Sequence, residues 1–319
     1  MRRMLVVLNA DAGAVRDLGA EQVRRQVDDA LTTPEMDVEV RVLSGDELTA
    51  TIRAAPAYGF DTVVVGAGDG TVSYAASVYA GTGMVLGVLP LGTMNLLAHD
   101  IGLPRDLPGA LAALRAAQPR QVDVGRVNGR AFHGVSGLGF FSQMAMERER
   151  VRSTRGRIAG WMIALMKAAW RAGRFAIEIE VEGRRQPIHA YAVLVTVNAF
   201  DAPGWRRSRL DRGHLEVMVA EDRGTLAKLK VGADVLTDAW RANPGIHTFT
   251  AEKVTIHARR RRAWVATDGE VTREDMPLRY ALAPAALTLL VPADGPHALA
   301  GDAGGGEAEP ALPSRAANG

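Results

Sequence analysis

The chain has 319 residues, of which 47% are hydrophobic and 23% charged, with a formal net charge of +2 and no cysteine. This is the composition of a folded globular protein of about two domains. It leaves no disulfide, thiolate nucleophile or cysteine-bound zinc, and none of the seven histidines forms the i, i+4 pair of a helix-borne zinc site. A charge of +2 steers ligands only weakly, so basic effects must be local and no nucleic-acid partner is expected. Met1–Leu8 is too short an apolar run for a secretory signal, and no stretch reaches the ~18 apolar residues of a membrane span, which predicts a cytoplasmic protein.

The first third alternates short apolar runs with helix-like segments. Met4–Leu8 is followed by Leu18–Leu31, Val38–Val42 by Asp46–Ala54, Thr62–Val65 by Val72–Tyr79, and Met84–Leu89 by Leu107–Ala116. Parallel strands need a crossover long enough to be a helix, so this half predicts an open, mostly parallel α/β sheet. From Val122 the texture changes to strand candidates separated by Gly, Pro and Asn: Phe175–Val181, Ala190–Asn198, Leu215–Ala220, Val254–Ala258, Ala263–Thr267 and Leu287–Val291. A mostly antiparallel, β-rich second domain is expected, with helices over Ile158–Ala172 and Thr225–Thr237. After Pro292 the chain turns to Gly, Ala, Pro and polar residues, which predicts a disordered tail. The expected domains are therefore 1–122 and 123–292, with a tail over 293–319.

Gly66-Ala67-Gly68-Asp69-Gly70-Thr71 stands between the strand Thr62–Val65 and a helix beginning near Val72. In such a turn the backbone N–H groups can approach phosphate oxygens, and the helix N-terminus adds partial positive charge. The same turn could simply connect strand to helix, with Asp69 or Thr71 as a cap. It is not a Walker A loop, because no Lys-Ser or Lys-Thr follows the glycines. It is not a dinucleotide fingerprint either, because Leu86–Leu91 holds no acid for a ribose. The His-Arg-Asp and Asp-Phe-Gly motifs of protein kinases are absent.

Ala67-Gly68-Asp69-Gly70-Thr71 resembles the Gly-Gly-Asp-Gly-Thr signature of diacylglycerol kinases, sphingosine kinases and, more distantly, NAD kinases. A second block, Leu89-Pro90-Leu91-Gly92-Thr93-Met94-Asn95-Leu96-Leu97-Ala98 with Ile101-Gly102-Leu103-Pro104 after it, resembles the Pro-x-Gly-Thr-x-Asn block of the diacylglycerol kinase catalytic domain and its bacterial lipid-kinase relatives. The resemblance runs from about Arg3 to Pro292. It implies an NAD kinase/diacylglycerol kinase-like α/β domain followed by an antiparallel β-sandwich domain. It also implies ATP contacts from Asn9, Gly13, Ala67, Gly68, Asp69, Gly70, Thr71, Val72, Ser73, Thr93 and Asn95, with Ser44 a weaker candidate. Ala10 stands where the family's first turn has proline. For Asn9 and Thr93, ordinary turn and cap hydrogen bonding is the competing reading.

Asp268-Gly269-Glu270, after the strand Ala263–Thr267, resembles the Asp-Gly-Glu element carrying the family's catalytic base. Phosphoryl transfer to an alcohol needs a carboxylate to accept the hydroxyl proton, so Glu270 is the first candidate and Asp69 the second. An exposed hairpin turn with a solvated Glu is the alternative reading. Relatives often carry Asp-Asp-Gly-x-Leu at a structural magnesium; here Asp211-Arg212-Gly213-His214-Leu215 puts Arg212 in the second Asp position, so a cation there is not expected, while magnesium on the ATP phosphates is. The basic residues Arg148–Arg157 leading into Trp161, Met162, Leu165 and Trp170 give the Arg148–Ala172 region the pattern of a peripheral contact with the inner membrane face. Packing of that helix on the second domain explains the same pattern. Arg259–Arg262 could meet lipid headgroups or ATP, or be a solvated charge run. The expected acceptor is diacylglycerol or a related lipid alcohol. Phosphorylation of NAD, and nucleotide binding without catalysis at a membrane, are the alternatives.

Overall fold

The computed structural model describes residues 2–34, 36–151, 173–201, 206–224, 230–231, 234 and 239–295. They divide into two compact units. One takes residues 2–124, 206–212 and 283–295; the other takes the described residues of 125–201 and 213–282. The predicted helices Ile158–Ala172 and Thr225–Thr237, and the predicted tail, lie wholly or mainly outside the described residues. No helix among the described residues is long and apolar enough to cross a membrane.

The first unit begins with β1 (Arg2–Asn9), α1 (Gly13–Leu18), α2 (Ala20–Leu31), β2 (Met36–Leu43), α3 (Gly45–Ala54), β3 (Thr62–Ala67), α4 (Asp69–Tyr79), β4 (Val85–Pro90), α5 (Leu96–Asp100) and α6 (Leu107–Arg115). β1 pairs in parallel with β2 and β3, and β3 with β4, giving the order β2-β1-β3-β4. The strands read as unbroken apolar runs because helices cover both faces: every residue of β3 is buried, as are Leu5 to Leu8 of β1. The helices answer with stripes at i, i+4, such as Val23, Val27 and Leu31 of α2 and Leu48 and Ile52 of α3, all buried.

β5 (Gln118–Val127) leads into the second unit. There follow β6 (Arg130–Phe132), β7 (Val135–Gly139), α7 (Phe140–Val151), β8 (Phe175–Val181), β9 (Arg184–Val197), β10 (Leu215–Glu221), β11 (Ile246–Ala251), β12 (Lys253–Ala258), β13 (Arg262–Thr267) and β14 (Glu270–Asp275). The pairings are antiparallel: β14 with β13, β13 with β7, β7 with β9, β9 with β8 and β10, β10 with β11, and β8 with β12. This is the expected antiparallel β sandwich. Ile177 and Ile179 of β8, Val193 and Val195 of β9, and Val217 and Val219 of β10 meet in its core. The opposite faces of β9 and β10 are also covered, where Leu194 and Met218 pack on Trp240. Eight consecutive residues of β9, 190–197, are therefore buried.

The last strand, β15 (Leu278–Val291), is shared between the units. Leu278–Ala281 pair antiparallel with β12, whereas Thr288 and Leu289 pair in parallel with β4. The change of partner follows Ala285, whose φ of 50° is uncommon for a residue with a Cβ. Its N–H donates to the buried Asp123 carboxylate at 3.0 Å, and the Asp123 N–H donates to the Leu210 carbonyl at 2.7 Å. Segment 206–212 is fixed a second time by an ion pair between Arg207 and Asp100, whose side chains are 3% and 6% exposed. Buried hydrogen bonds and a strand pairing hold 206–212 and 283–295 in the first unit.

Candidate functional site

The phosphate-loop candidate is built by close backbone packing. A Cβ on Gly66 would lie 2.5 Å from Leu8 Cδ2 and 2.9 Å from Leu91 Cδ1, and one on Gly92 would lie 2.5 Å from the Cα of Gly68. The turns after β3 and β4 therefore touch main chain to main chain. Gly68 is the N-cap of α4 and offers no side chain to its first turn, so that helix start presents N–H donors of the kind that bind anions. Nothing lies within 4 Å of where a Cβ on Gly70 or Gly13 would stand.

Asp69 joins the two sequence motifs. Its carboxylate oxygens accept from the N–H groups of Asn95 (3.1 Å) and Leu96 (2.6 Å), so it caps α5 across a separation of 26 residues. Asn95 sits in the left-handed region with φ 51°, which asparagine tolerates better than most residues. Its Oδ1 accepts from the Gly92 N–H at 2.9 Å, and its Nδ2 donates to the Gly92 and Pro90 carbonyls at 3.0 and 3.3 Å. Thr93 is exposed on the loop so formed. Gly92→Ala should force the two turns apart and destabilise the first unit by about 1–3 kcal/mol, the cost of overpacking. Urea midpoints check this, and an unchanged midpoint would show that the close approach is dispensable.

Asn9 ends β1, where its Oδ1 accepts from the Asp11 N–H at 2.9 Å and its carbonyl from Ala12 at 3.0 Å. Ala14, next to Gly13, donates to the Leu91 carbonyl at 3.4 Å. The turns 9–13, 67–73 and 91–95 thus gather at the carboxyl ends of β1, β3 and β4, where open α/β sheets bind ligands. Ser44 follows β2 at the same end, one strand further out, and as N-cap of α3 makes no side-chain cap bond. Thr71 and Ser73 are partly exposed in the first turns of α4, while the Val72 side chain is buried in the core, leaving only its backbone to a ligand.

In the second unit, Asp268 (φ 49°) and Gly269 (φ 87°) form the two-residue β13–β14 turn, flanked by the pair Thr267 and Glu270. Two successive positive φ values match the hairpin turn for which Asp-Gly is preferred. The Asp268 carboxylate, 6% exposed, accepts from the N–H groups of His133, Gly134 and Val135, each at 2.9 Å. Beneath the turn, Thr267 and Tyr280 hydroxyls both bond the Ser136 hydroxyl, at 3.0 and 3.1 Å. Burial pushes the Tyr280 hydroxyl above its ordinary range, so it stays protonated within that network. Sequence reasoning read Asp268 only as a turn former, because its three donors lie more than 130 residues away. The Glu270 carboxylate is 70% exposed and ion-paired with Arg130 of β6.

Among the described residues no group of three or more His, Asp or Glu gathers to hold a metal. Asp211, beside Arg212, is paired with Arg209 at 3.0 and 3.2 Å. The donors among the described residues do not make a protein-only magnesium cage. The membrane-contact candidate 148–172 falls mainly outside the described residues, and of 148–151 only the helical backbone is described.

The diacylglycerol kinase catalytic domain family matches residues 3–127, and the YegS C-terminal NAD kinase beta sandwich-like domain matches residues 134–291. A Pseudomonas aeruginosa protein named probable lipid kinase YegS-like is 30% identical over 312 residues, covering 92% of this chain and 96% of its own. The chain belongs to the YegS-like lipid kinase family. A Mycobacterium tuberculosis relative of this YegS-like chain, named diacylglycerol kinase, is 27% identical, with 80% of this chain and 85% of the relative covered. The chain spans 66% of the length of a longer, uncharacterized relative from Synechocystis. The fold is also that of a Bacillus anthracis diacylglycerol kinase crystal structure, with a TM-score of 0.70 at 22% identity over 91% of this chain and 96% of that one. The YegS-like family match takes in the three turns at the carboxyl edge of the parallel sheet and the Asp268–Glu270 hairpin.

Proposed function

We propose that this YegS-like chain is an ATP-dependent lipid kinase that transfers the γ-phosphate to the hydroxyl of diacylglycerol or a related lipid alcohol. The observation that carries the reading is the clasp of Gly68 on Gly92, locked by Asp69 and Asn95 at the carboxyl edge of a parallel sheet. The N–H groups at the start of α4 hold the phosphates, with the turns at Asn9–Gly13 and Thr93 beside them. Asp69 acts as a positioning residue, since both its oxygens are taken up by the second loop. Magnesium on the phosphates would supply neutralisation of the β- and γ-phosphate charge during transfer.

The acceptor oxygen attacks γ-phosphorus, the bond to the β,γ-bridging oxygen breaks, ADP leaves, and the hydroxyl proton passes to the Glu270 carboxylate. Asp268 holds the turn that presents Glu270, and Arg130 orients its carboxylate until the acceptor takes that place.

Transfer of labelled γ-phosphate to a panel of lipid alcohols in mixed micelles, with NAD as a parallel acceptor, tests the reading. Labelled diacylglycerol is the expected result. Label in NAD alone, or ATP binding with no transfer to any acceptor, would overturn it.

A further inference from the structure

The hairpin that carries Glu270 has an outer face that α7 contacts over part of its length and that has no part in the proposed chemistry. Ala263 and Val265 of β13 point into the sandwich core, so strand alternation turns Trp264 outward, where it is 48% exposed. Its cross-strand partner is Arg273, with the guanidinium 6.0 Å from the indole. The β12–β13 turn beside it is Arg259-Arg260-Arg261, and Arg260 stands 5.4 Å from the Phe175 ring. Arg174, Phe175, Arg260, Trp264 and Met276 are among the residues lining one cleft, which thus joins apolar side chains to two arginines.

Elsewhere arginines are either paired, as Arg24 is with Glu21, Arg41 with Glu39, Arg185 with Glu180 and Arg241 with Glu216, or stand without an ion pair among the described residues, as Arg16, Arg53 and Arg115 do. What marks the Trp264 surface is how many of its arginines lie together. Around Trp264 only Arg262 has an acid, Asp275; among the described residues Arg174, Arg259, Arg260, Arg261 and Arg273 have no carboxylate partner. In a chain of net charge +2 this concentrates positive charge on one surface. Arginines at the surface of an anionic bilayer are attracted to it, and an indole among them suits the headgroup layer, being apolar in body with a polar N–H.

We infer that the outer face of the β13–β14 hairpin, centred on Trp264 with Arg260, Arg261 and Arg273, docks the protein on an anionic phospholipid bilayer. This rests on the proposed lipid acceptor only in taking the substrate to lie in that bilayer.

The test is co-sedimentation of the full chain with phosphatidylcholine vesicles with and without phosphatidylglycerol, alongside phosphorylation of a water-soluble short-chain diacylglycerol. Binding should require phosphatidylglycerol and weaken with salt. Arg260→Ala and Arg273→Ala should each lower the partition coefficient about fivefold, and Trp264→Ala should lower it too. Unchanged turnover of the short-chain substrate would show that the variants remain folded and active. Vesicle binding that is undiminished in all three variants, or equal on neutral vesicles, overturns the inference while leaving the kinase intact. Retention on single-stranded DNA with no vesicle binding also overturns it. Loss of vesicle binding in the variants of a chain that phosphorylates no lipid would keep the docking surface and remove the kinase reading.

Discussion

Turnover of a Glu270→Gln variant should fall by about two to four orders of magnitude, the contribution of a positioned general base, with affinity for ATP unchanged. The amide keeps the size of the carboxylate but cannot accept the acceptor's proton. The turn that carries it should also stay in place, because it is held by Asp268 through three backbone N–H groups and by the buried hydroxyls of Ser136, Thr267 and Tyr280, none of which the substitution touches. Single-turnover kinetics beside equilibrium ATP binding separates the two effects. Full activity in this variant would remove Glu270 from the chemistry and return attention to Asp69, despite its two backbone hydrogen bonds.

Arg207→Met should destabilise the first unit by about 3–5 kcal/mol, because it leaves the buried Asp100 carboxylate without its counter-charge. That is a large share of the ~5–15 kcal/mol by which a protein is normally stable. The double variant Asp100→Leu/Arg207→Met removes both charges and should recover much of the loss, since an apolar replacement for a buried pair is often close to neutral. Urea midpoints for the single and double variants decide the matter. Equal midpoints for wild type and Arg207→Met would mean that the pair contributes nothing net.

The parallel half was legible because β1, β3 and β4 are apolar runs separated by helix-length segments, a pattern with few other solutions. The two loops were legible for a related reason. Gly66 and Gly92 are required by close packing, and the need for glycine is written in the residue itself. What stayed hidden depends on contacts distant in sequence. Leu287–Val291 reads as a strand, but nothing in an apolar run says whether its neighbour is parallel β4 or antiparallel β12. Asp123, Asp100 and Asp268 look like surface acids until their partners 162, 107 and more than 130 residues away are placed beside them. The short α5 also escaped notice: its first N–H groups are capped by Asp69 from another segment, while the side chain of its own N-cap residue, Asn95, bonds back to Gly92 and Pro90.

The three-segment construction of the first unit bears on how the protein is born. As the ribosome releases residues 1–124, β4 still has an unfilled edge, and Asp100 and Asp123 await partners not yet synthesised. Arg207 comes only after much of the second unit has emerged, and Thr288 and Leu289 only after the rest of it. Bare strand edges and unpaired acids are what aggregation and chaperones respond to in a nascent chain. The first unit, begun before the second, is thus finished after it, and a chain truncated after residue 282 would expose β4 permanently.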